Sequence, residues 1–76
     1  MILAFVLVDV ETGFDAEVLD RLRAFPNITE AYSVYSVYDI ICRVEAENMA
    51  ALKAFVLEKI RKSGLIRSTV TLIVII

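Results

Sequence analysis

Both ends of the chain are apolar segments that lack the polar alternation of a half-exposed strand. Residues 2–8 read Ile-Leu-Ala-Phe-Val-Leu-Val, and residues 70–76 read Val-Thr-Leu-Ile-Val-Ile-Ile. Successive side chains of a strand point to opposite faces of its sheet, so strands of this composition need cover on both faces. A chain of 76 residues can supply helices for one face but hardly for two. We therefore predict that another copy of the protein covers the second face.

The composition indicates a single domain, residues 1–76, without a membrane span. Hydrophobic residues make up 59% of the chain, against roughly 45–50% in ordinary proteins, which agrees with self-association. Neither apolar end reaches the ~20 residues of a transmembrane helix, and no signal-peptide pattern is present. The only cysteine, Cys42, cannot form an internal disulfide, so we expect a cytoplasmic protein.

The charge and the reactive residues argue against nucleic-acid binding and catalysis. The net charge is −2, and the basic residues alternate with acidic ones on predicted helices, so no DNA-binding patch is expected. The chain has no histidine, which removes most nucleophile pairs and zinc sites. Its two glycines are too few for a phosphate-binding loop. We expect no catalytic residue, metal site or cofactor, and we assign Cys42 to the core.

The residue pattern predicts the element order β-α-β-β-α-β. The elements are a strand over 2–8, a helix over 15–24, strands over 28–37 and 39–45, a helix over about 47–62, and a strand from 65 or 67 to 76. Pro26 ends the first helix, because the residue before a proline avoids the helical conformation. Gly64 ends the second helix, because glycine adopts left-handed conformations at low cost.

This order is that of the ferredoxin-like βαββαβ fold, in the α+β class. Right-handed crossovers place both helices on one face of a four-stranded antiparallel sheet, with the first and third strands central. The other face carries Leu3, Phe5 and Leu7, or their alternates, and stays open. We predict that the chain is dimeric through this open face.

Two short motifs stand out within five segments that span the chain: Tyr38-Asp39 after the hairpin, and Ser-Thr-x-Thr at residues 68–71. The segments are 4–8, 25–32, 33–44, 57–61 and 64–72. Together they resemble the C-terminal ligand-binding (RAM) domain of the Lrp/AsnC family of transcription regulators. In that family a helix-turn-helix precedes the domain, whereas Met1 here starts at the first strand. The resemblance therefore implies a stand-alone effector domain.

The resemblance also implies assembly and ligand binding. Such domains dimerise through their sheets, and the dimers form rings, so we expect an octamer or a decamer. Small molecules, typically amino acids, bind between neighbouring dimers. The chain is expected to modulate transcription by assembling with itself or with full-length Lrp/AsnC regulators, without binding DNA directly. Symmetric interfaces make such mixed assembly physically easy.

Carried over by position, the ligand site lies at the hairpin and at the start of the last strand. Asp39 is the candidate to hold an α-ammonium group by a charge-assisted hydrogen bond, and the hydroxyls are candidates to receive the carboxylate. Each residue also has a purely structural interpretation, as a turn cap or a strand residue. The expected site residues are Ser36, Val37, Tyr38, Asp39, Ser68, Thr69 and Thr71.

Ser36 departs from the family pattern, which has a glycine two residues before the tyrosine. A glycine permits positive φ and close approach to a ligand. The serine side chain is therefore expected to change the pocket or its specificity, or to abolish binding. Two alternatives stay open: a ligand-free structural oligomerisation module, and a small dimeric α+β barrel enzyme with a pocket inside each subunit.

Overall fold

Four antiparallel strands form one sheet in the order β2-β3-β1-β4. The computed structural model describes residues 1–76, and it confirms the ferredoxin-like βαββαβ fold. The elements are β1 (Ile2–Val10), α1 (Asp15–Arg23), β2 (Ile28–Ser33), β3 (Ile40–Ala46), α2 (Met49–Phe55) and β4 (Ile66–Ile73). As predicted, the first and third strands are central and the last strand is an edge.

The core lies between the sheet and the two helices, and it is entirely hydrophobic. The central strands contribute alternate residues to it, because every second side chain of a strand faces the helices. These residues are Ala4, Val6, Val8 and Val10 of β1, with Ile40, Cys42, Val44 and Ala46 of β3. Cys42 is buried among them, as predicted, and its Sγ lies 3.5 Å from the Val6 carbonyl oxygen.

The helices complete the core from one side. α1 buries Val18 and Leu22, and α2 buries Leu52 and Phe55. α2 begins after Asn48, whose side chain accepts a hydrogen bond from the Ala51 amide at 2.8 Å. It continues through a π-helical segment, Val56–Ile60, and a 3₁₀ turn, Arg61–Ser63. Neither helix is long and apolar enough to cross a membrane.

The opposite face of the sheet has no cover within the chain. β1 pairs with both β3 and β4, and residues directly opposite each other share a face. The register therefore collects six large hydrophobic side chains on the open face: Leu3, Phe5, Leu7, Ile41, Val70 and Leu72. This composition supports the prediction of a second copy on this face, which remains a proposal.

Two predicted strand ends and one predicted helix stripe are wrong, and β1 runs two residues further than predicted, to Val10. β2 ends at Ser33, because a loop over residues 34–39 replaces the predicted extension to residue 37 and the short turn. β4 ends at Ile73 instead of continuing to residue 76, although the Val74 amide still donates to the Leu3 carbonyl at 2.9 Å. The predicted buried stripe of α2 included Met49, which is 39% exposed, and omitted Phe55, which is buried against Phe25.

Candidate functional site

The loop over residues 34–39 is tied to the end of the central strand β1. Its two ends meet where the Val34 amide donates to the Asp39 carbonyl at 2.9 Å. The Asp39 amide in turn donates to the Val8 carbonyl at 2.9 Å. Because these bonds anchor the loop to the sheet, they hold Ser36 and Asp39 at a defined position beside the end of β1.

The Asp39 carboxylate binds a backbone amide at the end of β1. The pairing of β1 with β3 ends at Val8 and Ile40, so the Val10 amide lies beyond the ladder. Asp39 Oδ2 accepts a hydrogen bond from this amide at 2.8 Å. The side chain thus acts as a cap, as the structural interpretation expected. Its second oxygen, Oδ1, accepts no hydrogen bond within the chain.

A shallow cavity of about 460 Å³ opens beside this carboxylate. It is lined by Asp15, Ser33, Val34, Tyr35, Ser36 and Asp39. Of the predicted hairpin residues, Ser36 and Asp39 line it, whereas Val37 and Tyr38 do not. Val37 instead projects into solvent. The sequence analysis missed four lining residues: Asp15, Ser33, Val34 and Tyr35. The sequence indicates that α1 begins at Asp15, but it does not indicate that this end of the helix lies beside the loop.

The predicted hydroxyls of β4 do not converge. Ser68 pairs with Asp9 and lies on the open face, whereas Thr69 and Thr71 pair with Val8 and Val6 on the helix side. None of these three residues lines the cavity beside Asp39.

Ser36 occupies its position without backbone strain. Leu65 is the only non-glycine residue with a positive φ, at 66°. The loop therefore does not use the left-handed conformation that a glycine at position 36 would permit. The consequence of the serine is a hydroxyl at the rim of the cavity, which adds a hydrogen-bonding group.

The open face has a polar half next to β2. Arg43 of β3 pairs with Glu45 and donates to Thr29 Oγ1 at 2.9 Å. Glu30 lies 3.9 Å from the Arg43 guanidinium and accepts a hydrogen bond from the Tyr32 hydroxyl at 2.9 Å. This hydrogen bond raises the pKa of Tyr32. A partner sheet on this face must match the polar half as well as the apolar half.

The sequence model described as the Lrp/AsnC ligand binding domain matches residues 3–75. A similar curated protein is an uncharacterised HTH-type transcriptional regulator of Pyrococcus horikoshii, 34% identical over 70 residues. That match covers 92% of this chain and 44% of the relative, so the chain spans less than half of that regulator's length.

Solved structures agree with this match. The protein in the crystal structure of FFRP-DM1 is 43% identical to this chain in sequence, and the two structures superimpose with a TM-score of 0.95. The match covers 99% of this chain and 100% of that one. E. coli AsnC is 28% identical with a TM-score of 0.93, covering 97% of this chain and 50% of that one.

A more distant structure shares the fold alone. It is a transcriptional regulator of Neisseria meningitidis, solved as a complex with L-Met, with 18% identity and a TM-score of 0.86. It covers 97% of this chain and 49% of that one. The resemblance inferred from the sequence is confirmed by the family match over nearly the whole chain: the protein belongs to the Lrp/AsnC ligand-binding domain family.

Proposed function

We propose that the protein is a non-enzymatic, oligomeric effector-binding domain whose ligand is an amino acid. In this proposal it modulates transcription by assembling with itself or with a full-length Lrp/AsnC regulator. The observation that carries the proposal is the Asp39 carboxylate. One of its oxygens is held by Val10 and the other is free beside an open cavity.

The free oxygen of Asp39 suits an α-ammonium group. A carboxylate accepts hydrogen bonds only, and such a bond from a charged donor is about twice as strong as a neutral one. The bond to Val10 fixes the rotamer of the carboxylate, so little side-chain entropy is lost on binding. Ser36 lies in the same cavity and supplies a hydroxyl to the bound molecule.

A neighbouring copy completes the site in this proposal. Because Ser68, Thr69 and Thr71 do not line the cavity beside Asp39, those of an adjoining copy receive the carboxylate in this proposal. A site between copies agrees with the implied ring of dimers. The amino-acid class is supported by the N. meningitidis regulator of the same fold, which was solved with L-Met.

The assembly partner follows from the open sheet face. Its six hydrophobic side chains are the surface through which we propose that two copies dimerise. A full-length regulator of the family offers an equivalent surface, so mixed dimers are geometrically accessible. The competing enzyme hypothesis needs a polar pocket between sheet and helices, and all 16 buried residues there are hydrophobic.

Isothermal titration with each of the proteinogenic amino acids tests ligand binding, with Asp39→Asn as the diagnostic variant. Asparagine keeps an oxygen for the Val10 amide but turns its NH₂ group towards the ligand, where it opposes an ammonium group. We expect the Kd to rise about tenfold or more. Asp20→Asn, on the exposed surface of α1, is the matched control and should leave the Kd unchanged.

Two results would contradict the proposal. If no amino acid binds while the protein still forms higher oligomers, the ligand-free structural module is the better interpretation. If one binds equally well to the wild type and to Asp39→Asn, the ammonium group is held elsewhere. Co-elution of the chain with a full-length family regulator on size exclusion tests the partner separately.

A further inference from the structure

An apolar groove with a volume of about 270 Å³ lies between the second helix and β4, on the helix side of the sheet. Its apolar lining comes from α2, from the π-helical segment and from β4: Met49, Leu52, Val56, Leu57 and Ile73. Three of these side chains are 39–53% exposed, so the fold leaves the groove open to solvent. The π-helical segment is itself a distortion that is frequent at functional sites. A concave apolar surface with a few polar groups is the usual setting for a small ligand.

Lys53 is the one charged residue that lines the groove. Its ammonium group makes no ion pair within the chain. Residues three and four positions away on a helix are the neighbours that can pair with a charge. For Lys53 these neighbours are all uncharged: Met49, Ala50, Val56 and Leu57. Lys62, by contrast, lies 3.8 Å from Glu58, four residues before it. The groove therefore combines an apolar lining with a positive charge that the chain does not neutralise.

Thr71 supplies the second polar group of the groove. It pairs with Val6 on the helix side of β4 and is half-buried. An ammonium group can only donate hydrogen bonds, and a threonine hydroxyl can donate one. No carboxylate lines the groove. Lys53 and Thr71 therefore suit a ligand group that accepts hydrogen bonds and carries negative charge.

We propose that the groove is a second ligand site, which binds an aliphatic carboxylate that carries no amino group. The alkyl chain of the ligand lies along the apolar lining, and its carboxylate lies against Lys53 and Thr71. From Met49 to Val56 the helix rises about 10 Å. The extended chain of octanoate is of about this length, so octanoate is the probe that fits the groove.

The groove and the cavity beside Asp39 differ in charge and therefore in ligand. The cavity is lined by two acidic residues, Asp15 and Asp39, and by no basic one. The groove is lined by one basic residue and by no acidic one. An α-ammonium group is disfavoured in the groove, because it would lose water there without gaining an ion pair. The groove site thus goes beyond the proposed function, and Lys53 plays no part in that function.

Isothermal titration of the full chain with octanoate tests the site. Lys53→Glu reverses the charge of the groove, and we expect the Kd for octanoate to rise about tenfold or more. Lys59→Glu makes the same change outside the groove and should leave the Kd within about twofold. Leu57→Ala should raise the Kd about fivefold by loss of apolar lining, with Val37→Ala as the solvent-exposed control. Absence of octanoate binding, or equal Kd values for Lys53→Glu and Lys59→Glu, would overturn the proposal.

Matched ligands separate the contribution of the charge from that of the alkyl chain. 1-Octanol keeps the chain and lacks the carboxylate, whereas 2-aminooctanoate adds an ammonium group to octanoate. We expect each to bind about fivefold or more weakly than octanoate. The titrations with 2-aminooctanoate use Asp39→Asn, so that binding in the cavity does not contribute. Equal Kd values for octanol and octanoate would show that only apolar surface is recognised, and would overturn the carboxylate class.

Methyl NMR spectra of the wild type locate the bound ligand. On addition of octanoate we expect the methyl resonances of Leu52, Leu57 and Ile73 to shift, and those of the loop over residues 34–39 to stay unchanged. Shifts confined to that loop would overturn the groove site. Groove resonances that do not respond, because a neighbouring copy already covers them, would overturn it as well. Absent amino-acid binding with the octanoate shifts intact would refute only the proposed function, and the reverse result would refute only the groove site.

Discussion

Asp39→Ala is expected to destabilise the fold even without a ligand. The Val10 residue is 1% exposed, and its amide has the Asp39 carboxylate as its hydrogen-bond partner at 2.8 Å. Loss of the partner of a buried donor costs about 1–3 kcal/mol. Asp39 is only half-buried, so water reaches this end of the strand and the expected loss is about 1–2 kcal/mol. For a domain of this size the Tm should fall by about 5–15 °C.

The assay is urea denaturation at a fixed protein concentration, because the stability of an oligomer depends on concentration. Asp39→Asn should stay within about 0.5 kcal/mol of the wild type, since its amide oxygen still accepts from Val10. Asp20→Ala, on the surface of α1, should also stay within about 0.5 kcal/mol. Equal losses in Asp39→Asn and Asp39→Ala would show that the charge stabilises the loop, and would refute the cap.

Three further changes test other parts of the structure. Burial raises the pKa of the Cys42 thiol from 9.0 to about 12, so the stability it contributes is complete below pH 9 and is lost as the pH rises towards 12. The stability advantage of the wild type over Cys42→Ala should therefore fall by about 2 kcal/mol between pH 8 and pH 10.5, measured by urea denaturation; an advantage independent of pH would contradict the burial of the thiol. Gly64→Ala should cost about 1–3 kcal/mol in the same assay, because φ is 84° there and the added Cβ meets only ordinary contacts; an unchanged midpoint would exclude this conformation. Asn48→Ala should cost about 1 kcal/mol by loss of the helix cap, whereas Asn48→Asp should retain it.

The fold could be predicted because its signals are local. In β3, apolar residues at every second position of 40–44 decide which side of the strand enters the core. In α1, apolar residues at helical spacing do the same for the helix. Pro26 and Gly64 mark the ends of the helices. The order of these elements, together with right-handed crossovers, leaves few topologies. The apolar character of both terminal segments pointed to an uncovered sheet face.

The candidate site was predicted less completely. Ser36 and Asp39 lie together at the cavity, but the cavity also contains Asp15 of α1, which is remote in sequence. Its contribution depends on how α1 docks beside the loop. The hydroxyls of β4 were expected to act together, yet Ser68 faces away from Thr69 and Thr71. Strand alternation separates them, and only the pairing with β1 shows which face each occupies.

The sequence alone determined the elements and their order, and its motifs carried the family resemblance. The elements and their order follow from side-chain periodicity and turn chemistry, which act over a few residues. The tertiary structure decided the strand register, and with it the link between Asp39 and Val10 and the composition of the open face. These features join residues that are far apart in the chain. They depend on backbone hydrogen bonds between strands, which nearly all residue types form equally well and which the local sequence therefore does not specify.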